Sequence, residues 1–193
     1  VFDIAYLRSI PNLSIAAPAN EIDLRNLLYT AQLALDSPLV IRYPRGRGQI
    51  TDWQQPFEEV EIGKGRCLKE GSEVAVLSIG NMTENSKLAI ADIKAEHKDK
   101  IGHFDMLFVK PLDETLLHRI CQKYKSIITV EDGIIKGGFG SAVLEFATEN
   151  DYHLKIKCLG VPDKFIEHGS VDELQEMCGI NVENIREVIL SQL

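Results

Sequence analysis

No stretch of this sequence approaches the roughly 20 consecutive apolar residues that a helix needs to cross a bilayer, and no charged-then-apolar leader opens it. A membrane-embedded or exported protein is therefore not expected. Basic residues are outnumbered, 21 against 29 acidic ones, for a net charge of −8. That balance excludes a broad footprint on nucleic acid, which needs a clustered excess of Lys and Arg, while leaving room for a local basic pocket. The four cysteines, Cys67, Cys121, Cys158 and Cys178, include no C-x-x-C pair, which argues against a zinc site or a disulfide framework. They are expected to be reduced core thiols of a cytoplasmic protein. The five histidines, His97, His103, His118, His153 and His168, have no metal-ligand spacing. There is no nucleophile elbow, no repeat of fixed period and no low-complexity tract. An initiator Met is also missing: the chain opens on Val1-Phe-Asp-Ile-Ala-Tyr-Leu, and the expectation is a piece of something longer.

What remains is the balance of an ordinary globular protein, 193 residues with 45% hydrophobic and 26% charged. Residues 1–9 are too mixed to assign. Leu13–Ala17 is a short apolar run suited to a buried strand. Asn20 can cap a helix in which Leu24, Leu27, Leu28, Ala31 and Leu35 recur at helical spacing through Asp36, and Leu39–Tyr43 reads as a second strand. Strand, helix, strand requires a right-handed crossover if the two strands are parallel neighbours. Two strands make no stable sheet with covered faces, so the missing strands are expected upstream or on a partner.

Glycine, Pro56 and acidic residues between Gly46 and Gly65 mark a linker, with one short edge strand expected at Glu59–Ile62. Strands and helices alternate beyond it. Strands are expected at Val74–Ile79, Phe104–Val109, Ile127–Val130 and Leu154–Leu159. Helices are expected from about Thr83 to His97, Asp113 to Tyr124 and Gly138 to Glu149. Such alternation predicts a mostly parallel sheet covered on both faces. Near the end, Ser170 and Glu173 match a capping box, Gly179 suits a C′ position, and Asn181 caps a last helix with Ile180 and Ile185 as its staple. The fold class is α/β, with boundaries expected at 1–46, 47–65 and 66–193.

Two stretches can carry chemistry. In Arg42-Tyr-Pro-Arg45-Gly46 a strand delivers two guanidiniums to the carboxyl edge of a sheet, where open α/β folds bind ligands. Either arginine can clamp a phosphate or carboxylate, or pair with one of the many local carboxylates. Alternation along the strand sends the two to different faces, with Arg45 the freer. In Glu131-Asp-Gly-Ile-Ile-Lys-Gly-Gly-Phe-Gly-Ser141 a strand end, a glycine-rich loop and a helix start follow the order of anion-cradling loops. Neither the G-x-x-x-x-G-K-[ST] nor the G-x-G-x-x-G spacing is present, and tight helix–sheet packing is the better account of the glycines. Glu131 and Asp132 can form an acid–base pair, or one of them can cap the loop or helix. His168, in Pro162-Asp-Lys-Phe-Ile-Glu-His-Gly169, is a lone loop histidine.

Val1-Phe-Asp-Ile-Ala-Tyr-Leu-Arg-Ser-Ile-Pro11, Arg42–Gly46, Ile62-Gly-Lys-Gly65, Phe108-Val-Lys-Pro-Leu-Asp113, Glu131-Asp-Gly133 with Gly137–Ser141, and Pro162–Gly169 resemble successive motifs of the 1-deoxy-D-xylulose-5-phosphate synthases. The resemblance covers the whole chain. The glycine loop and strand–helix pattern are shared with transketolases and 2-oxoacid dehydrogenase β-type subunits. The resemblance implies condensation of pyruvate with glyceraldehyde 3-phosphate and loss of carbon dioxide, on thiamine diphosphate and Mg2+, in the route to isoprenoid precursors, thiamine and pyridoxal. It implies a homodimer and places the cofactor, metal and catalytic residues in upstream domains of the same enzyme. This chain would be the end of the pyrimidine-binding domain, the linker and the complete transketolase C-terminal-like domain. Arg45 matches the family's arginine on the substrate phosphate, with Asp3, Tyr6 and Arg42 in supporting positions. No cofactor or metal is expected on the chain alone, which would be inactive. A non-catalytic α/β dimerisation module is the alternative from another class.

Overall fold

The computed structural model describes every residue except Ala34, Leu35, Arg47, Gln49 and Thr51. The elements in order are α1 (Asp3–Leu7), β1 (Ser14–Ala16), α2 (Glu21–Thr30), β2 (Leu39–Ile41), β3 (Arg66–Lys69), β4 (Val74–Ser78), α3 (Met82–Ala91), α4 (Ala95–Lys98), β5 (Ile101–Asp105), β6 (Phe108–Lys110), α5 (Glu114–Lys123), β7 (Ser126–Ile134), α6 (Phe139–Glu149), β8 (Lys155–Val161), α7 (Val171–Cys178) and α8 (Val182–Leu190). They build two sheets, one of order β2-β1-β6 and one of order β3-β5-β4-β7-β8.

The larger sheet is parallel except for its edge strand β3, which runs antiparallel to β5. β4 explains why the sheet is covered on both faces: all five of its residues are buried. Side chains alternate along a strand, so Val74 and Val76 join one cluster with Met82, Ile90, Ile185 and Ile189 of α3 and α8. Ala75 and Leu77 join the other, with Leu117 and Ile120 of α5 and Val143 and Phe146 of α6. The end of the chain follows its local signals. Ser170 and Glu173 form the capping box, Gly179 adopts φ +70°, and the Asn181 side chain accepts from the Asn184 amide at 3.0 Å. Ile180 and Ile185 are both buried.

The smaller sheet departs from expectation. β1 and β2 are parallel, Ser14 facing Leu39 and Ala16 facing Ile41. Within this chain β6 supplies a third strand, antiparallel to β1 with Ala16 opposite Phe108. The single strand expected over Phe104–Val109 is therefore two, one in each sheet. The break sits at Leu107, which takes φ +53°; its N–H donates to Asp105 Oδ1 at 3.2 Å and its carbonyl accepts from Ala17 N at 2.8 Å. Ile4, Ile15, Ala17 and Val109 consequently belong to the same apolar cluster as the larger sheet.

Other boundaries shift for physical reasons. The helix expected through Asp36 ends at Thr30, whose hydroxyl donates to Asn26 O and accepts from Val60 N, both at 2.8 Å; Leu35 lies outside the described residues. The edge strand expected at Glu59–Ile62 is not formed. Its stretch runs along α2, with Val60 and Ile62 packed on Leu27 and Phe108 and the Glu58 N–H donating to Asn26 Oδ1 at 3.2 Å. The helix expected over Thr83–His97 breaks between α3 and α4, where Ile93 is buried. Cys121 is a buried thiol and Cys158 and Cys178 are half-buried, but Cys67, on the edge strand, is exposed.

Candidate functional site

Beyond Ile41 the chain leaves β2 through Arg42-Tyr43-Pro44-Arg45-Gly46. The Arg42 N–H still donates to Ala16 O at 2.8 Å, which keeps the residue in line with the sheet. Its guanidinium turns inward, 13% exposed, where Nε donates to Asp3 Oδ2 at 3.1 Å and Nη1 meets Asp132 Oδ1. Burial works against the charge, yet Asp132 and Asp3 together hold the guanidinium above its ordinary pKa. Arg42 therefore spends its charge inside the protein. Arg45 is exposed and, among the described residues, pairs with no carboxylate. Asp3 joins Arg42, whereas Tyr6 is 62% exposed, with its carbonyl accepting from Ser9 Oγ at 2.8 Å.

The glycine-rich loop has a different occupation. Glu131, wholly buried in β7, accepts from the N–H groups of Phe139 at 2.9 Å and Gly140 at 2.8 Å. Those are the first amides of α6, the place where a helix would receive a bound anion. A Cβ on Gly138 would lie 2.3 Å from Glu131 Oε2, so glycine is required for the carboxylate to reach. Burial pushes the Glu131 carboxyl up to about 7, against the two amides that pull it down. Arg8 closes the loop from outside, donating to Gly137 O at 2.8 Å and Gly138 O at 3.2 Å and pairing with Glu145. Of the two readings of Glu131-Asp132, capping holds for Glu131, while Asp132 serves Arg42.

Open α/β sheets bind ligands beyond the strand ends where the chain order reverses, here at β4, with β5 on one side and β7 on the other. On that side the turn after β4 lies against the smaller sheet: a Cβ on Gly80 would stand 3.5 Å from the Ala17 Cβ, an ordinary contact distance. Beside it runs a closed polar network. Ser78 Oγ lies 2.9 Å from His103 Nε2 and donates to Thr83 Oγ1 at 3.1 Å, and Thr83 donates to Asp105 Oδ1 at 3.4 Å. Arg66 of β3 then bridges Asp105 to Asp23 of α2. Burial, with Lys87 adding to it, pushes His103 down to about 4, and burial pushes Asp105 up to about 6 against the pull of Arg66. The histidine is neutral near pH 7 and its partners are committed.

Among the described residues no group of three or more His, Cys, Asp and Glu can hold a metal ion. The helix start that follows the glycine loop, α6, already carries its own carboxylate, Glu131. The α6 start and its glycine loop therefore do not fit a diphosphate with its metal. His168 is exposed in its loop. Sequence reasoning missed the partnership of Arg42 with Asp132, 90 positions apart, and the bridging arginines Arg8 and Arg66. The only signal available was that Arg42 and Asp132 both stand at the carboxyl ends of apolar strand runs.

Comparison with known proteins agrees over the whole length. The transketolase C-terminal domain model matches residues 63–185 and the transketolase pyrimidine binding domain model matches residues 1–49. The 1-deoxy-D-xylulose-5-phosphate synthase of Parabacteroides distasonis is 57% identical over 96% of this chain and 29% of its own length. That of Shouchella clausii is 40% identical over 100% of this chain and 31% of its own. The chain thus spans about 30% of such relatives. Among solved structures, a split-gene transketolase, solved as an inactive beta4 tetramer, superposes with a TM-score of 0.85 at 29% identity, covering 100% of this chain and 61% of that one. A transketolase from Campylobacter jejuni shares the fold, with a TM-score of 0.71 at 19% identity, 99% of this chain and 28% of that one. The chain belongs to the transketolase family, as a two-part segment of the 1-deoxy-D-xylulose-5-phosphate synthase type.

Proposed function

We propose that this chain is part of an enzyme that condenses pyruvate with glyceraldehyde 3-phosphate, releases carbon dioxide and forms 1-deoxy-D-xylulose 5-phosphate. Its share of the work is binding: Arg45 holds the phosphate of the aldehyde. Residues 1–46 close the pyrimidine-binding domain, 47–65 link, and 66–193 form the C-terminal domain. Thiamine diphosphate and Mg2+ belong to parts of the enzyme outside this chain, the working form is a homodimer in the cytoplasm, and the isolated chain is inactive.

The observation that carries this reading is the division of labour at the end of β2. Of the two arginines in the Arg42–Gly46 stretch, Arg42 is neutralised by two carboxylates, whereas Arg45 stands exposed at the carboxyl edge. A guanidinium there suits a phosphate, which it can grip with two parallel hydrogen bonds. A phosphate that takes no part in bond-making contributes binding energy that positions the reacting aldehyde. The likeness to transketolases supports a second substrate class, so donor choice is the test. The intact enzyme should release labelled carbon dioxide from carboxyl-labelled pyruvate only when glyceraldehyde 3-phosphate is supplied, and should not use a ketose phosphate as donor. Use of a ketose phosphate without pyruvate would replace this reading with a transketolase one.

A further inference from the structure

We infer that Asp132, in the C-terminal part of the chain, is a positioning residue for the phosphate-binding arginine Arg45, acting through Arg42; this rests on the reading of Arg45 given above. Two segments remote in sequence meet at the Arg42 guanidinium, and a third holds its backbone. Nε donates to Asp3 Oδ2 of α1 at 3.1 Å, Nη1 meets Asp132 Oδ1 of β7, and the backbone of Arg42 is still tied to β1 through Ala16 O. The two helping segments are themselves joined, since the Ile134 N–H donates to Val1 O at 2.9 Å. Asp132 and Asp3 are 18% and 29% exposed and Arg42 is 13% exposed. These charges are screened less than surface pairs, and their geometry is restrained from two directions.

The route from Arg42 to Arg45 is short and stiff. Pro44 has its φ fixed near −65° by its ring, and Tyr43, preceding a proline, is confined to extended conformations. Two of the residues that set the direction of Arg45 thus have little freedom of their own, and the orientation of Arg42 passes along the chain. Residues 43–46 are exposed, so the clamp on Arg42 is the last fixed point before the phosphate-binding side chain. Loosening it costs orientation of a bound phosphate and leaves the reacting groups alone. A glycine-loop strand of one domain thereby sets the substrate preference of a site formed by another.

The test is steady-state kinetics of the intact enzyme with glyceraldehyde 3-phosphate and with unphosphorylated glyceraldehyde, for Asp132→Asn, Asp132→Glu, Arg45→Ala and the double variant Asp132→Asn/Arg45→Ala. Thermal melts accompany each. Asp132→Asn should raise the KM for the phosphorylated aldehyde by about three- to tenfold, with kcat, the pyruvate KM and the KM for unphosphorylated glyceraldehyde changed less than about twofold. Asp132→Glu should recover most of the loss, and the double variant should be no worse than Arg45→Ala alone, because the two residues act in series. Equal effects of Asp132→Asn on both aldehydes, no effect on either, or additive losses in the double variant would each overturn the proposal. A melt lowered in step with kcat would overturn it in favour of a purely structural role. If Arg45→Ala fails to discriminate between the aldehydes, the phosphate reading itself falls and takes this inference with it.

Discussion

Arg66 Nη2 stands 2.7 Å from the wholly buried carboxylate of Asp105, and the same guanidinium reaches Asp23 on α2. One arginine on the edge strand of the larger sheet therefore ties that sheet to the helix of the smaller unit. The pairing explains why Asp105 can be buried at all, since an unpaired carboxylate in that position carries a large desolvation cost.

Removing the arginine should expose that cost. Arg66→Met is expected to destabilise the chain by about 2–4 kcal/mol, below the full value for breaking a buried pair because the arginine side chain is 42% exposed. Urea denaturation with the midpoint and slope compared between variants would measure it. A loss under about 0.5 kcal/mol, the level of an ordinary surface substitution, would mean that Asp105 is accommodated by Thr83 and the Leu107 amide without Arg66.

Glu131 gives a pH-dependent prediction with a definite sign. Its carboxyl is raised by burial from 4.5 to about 7, so between those values the folded chain holds a proton that the unfolded chain has lost. The contribution of this group is fully present below about 4.5 and is lost as the pH rises through about 7. Glu131→Gln cannot titrate, so its melting temperature relative to the parent chain should improve steadily from pH 5 to pH 7.5. A difference that is flat, or that moves the other way, would show that the two amide donors of α6 hold Glu131 ionised throughout.

The same capping predicts what the chain does not bind. With the α6 amides taken by Glu131, thiamine diphosphate and Mg2+ titrated into the 193-residue chain in a calorimeter should give no heat of binding at micromolar concentration. Micromolar binding would require the helix start to release Glu131, and would overturn the assignment of the cofactor to other parts of the enzyme.

Local chemistry was legible in the sequence. β4, with its apolar run Val74–Leu77, the capping box at Ser170 and Glu173, and the Asn20 and Asn181 caps all form from residues within a few positions of each other. What was not legible depends on distant segments. The break at Leu107 exists because Ala17, 90 residues earlier, binds its carbonyl and β1 recruits β6. Glu59–Ile62 has a strand's composition, but Asn26 and Thr30 take the amides of Glu58 and Val60. At the candidate site, the sequence marked Arg45 as the freer arginine, and it is exposed, but it did not say which carboxylates would neutralise Arg42, because Asp132 lies on a strand whose neighbourhood only the fold defines. The role proposed for Arg45 came from family resemblance and rests on its exposure here.

The central claim is that Arg45 binds the phosphate of the aldehyde substrate, and the measurement that tests it most directly is the kcat/KM of Arg45→Ala in the intact enzyme for each substrate. Loss of a charge-assisted bidentate contact should lower kcat/KM for glyceraldehyde 3-phosphate by about 10–100-fold, while the value for unphosphorylated glyceraldehyde and the KM for pyruvate stay within about threefold. An equal fall for both aldehydes, or none for the phosphorylated one, would contradict it.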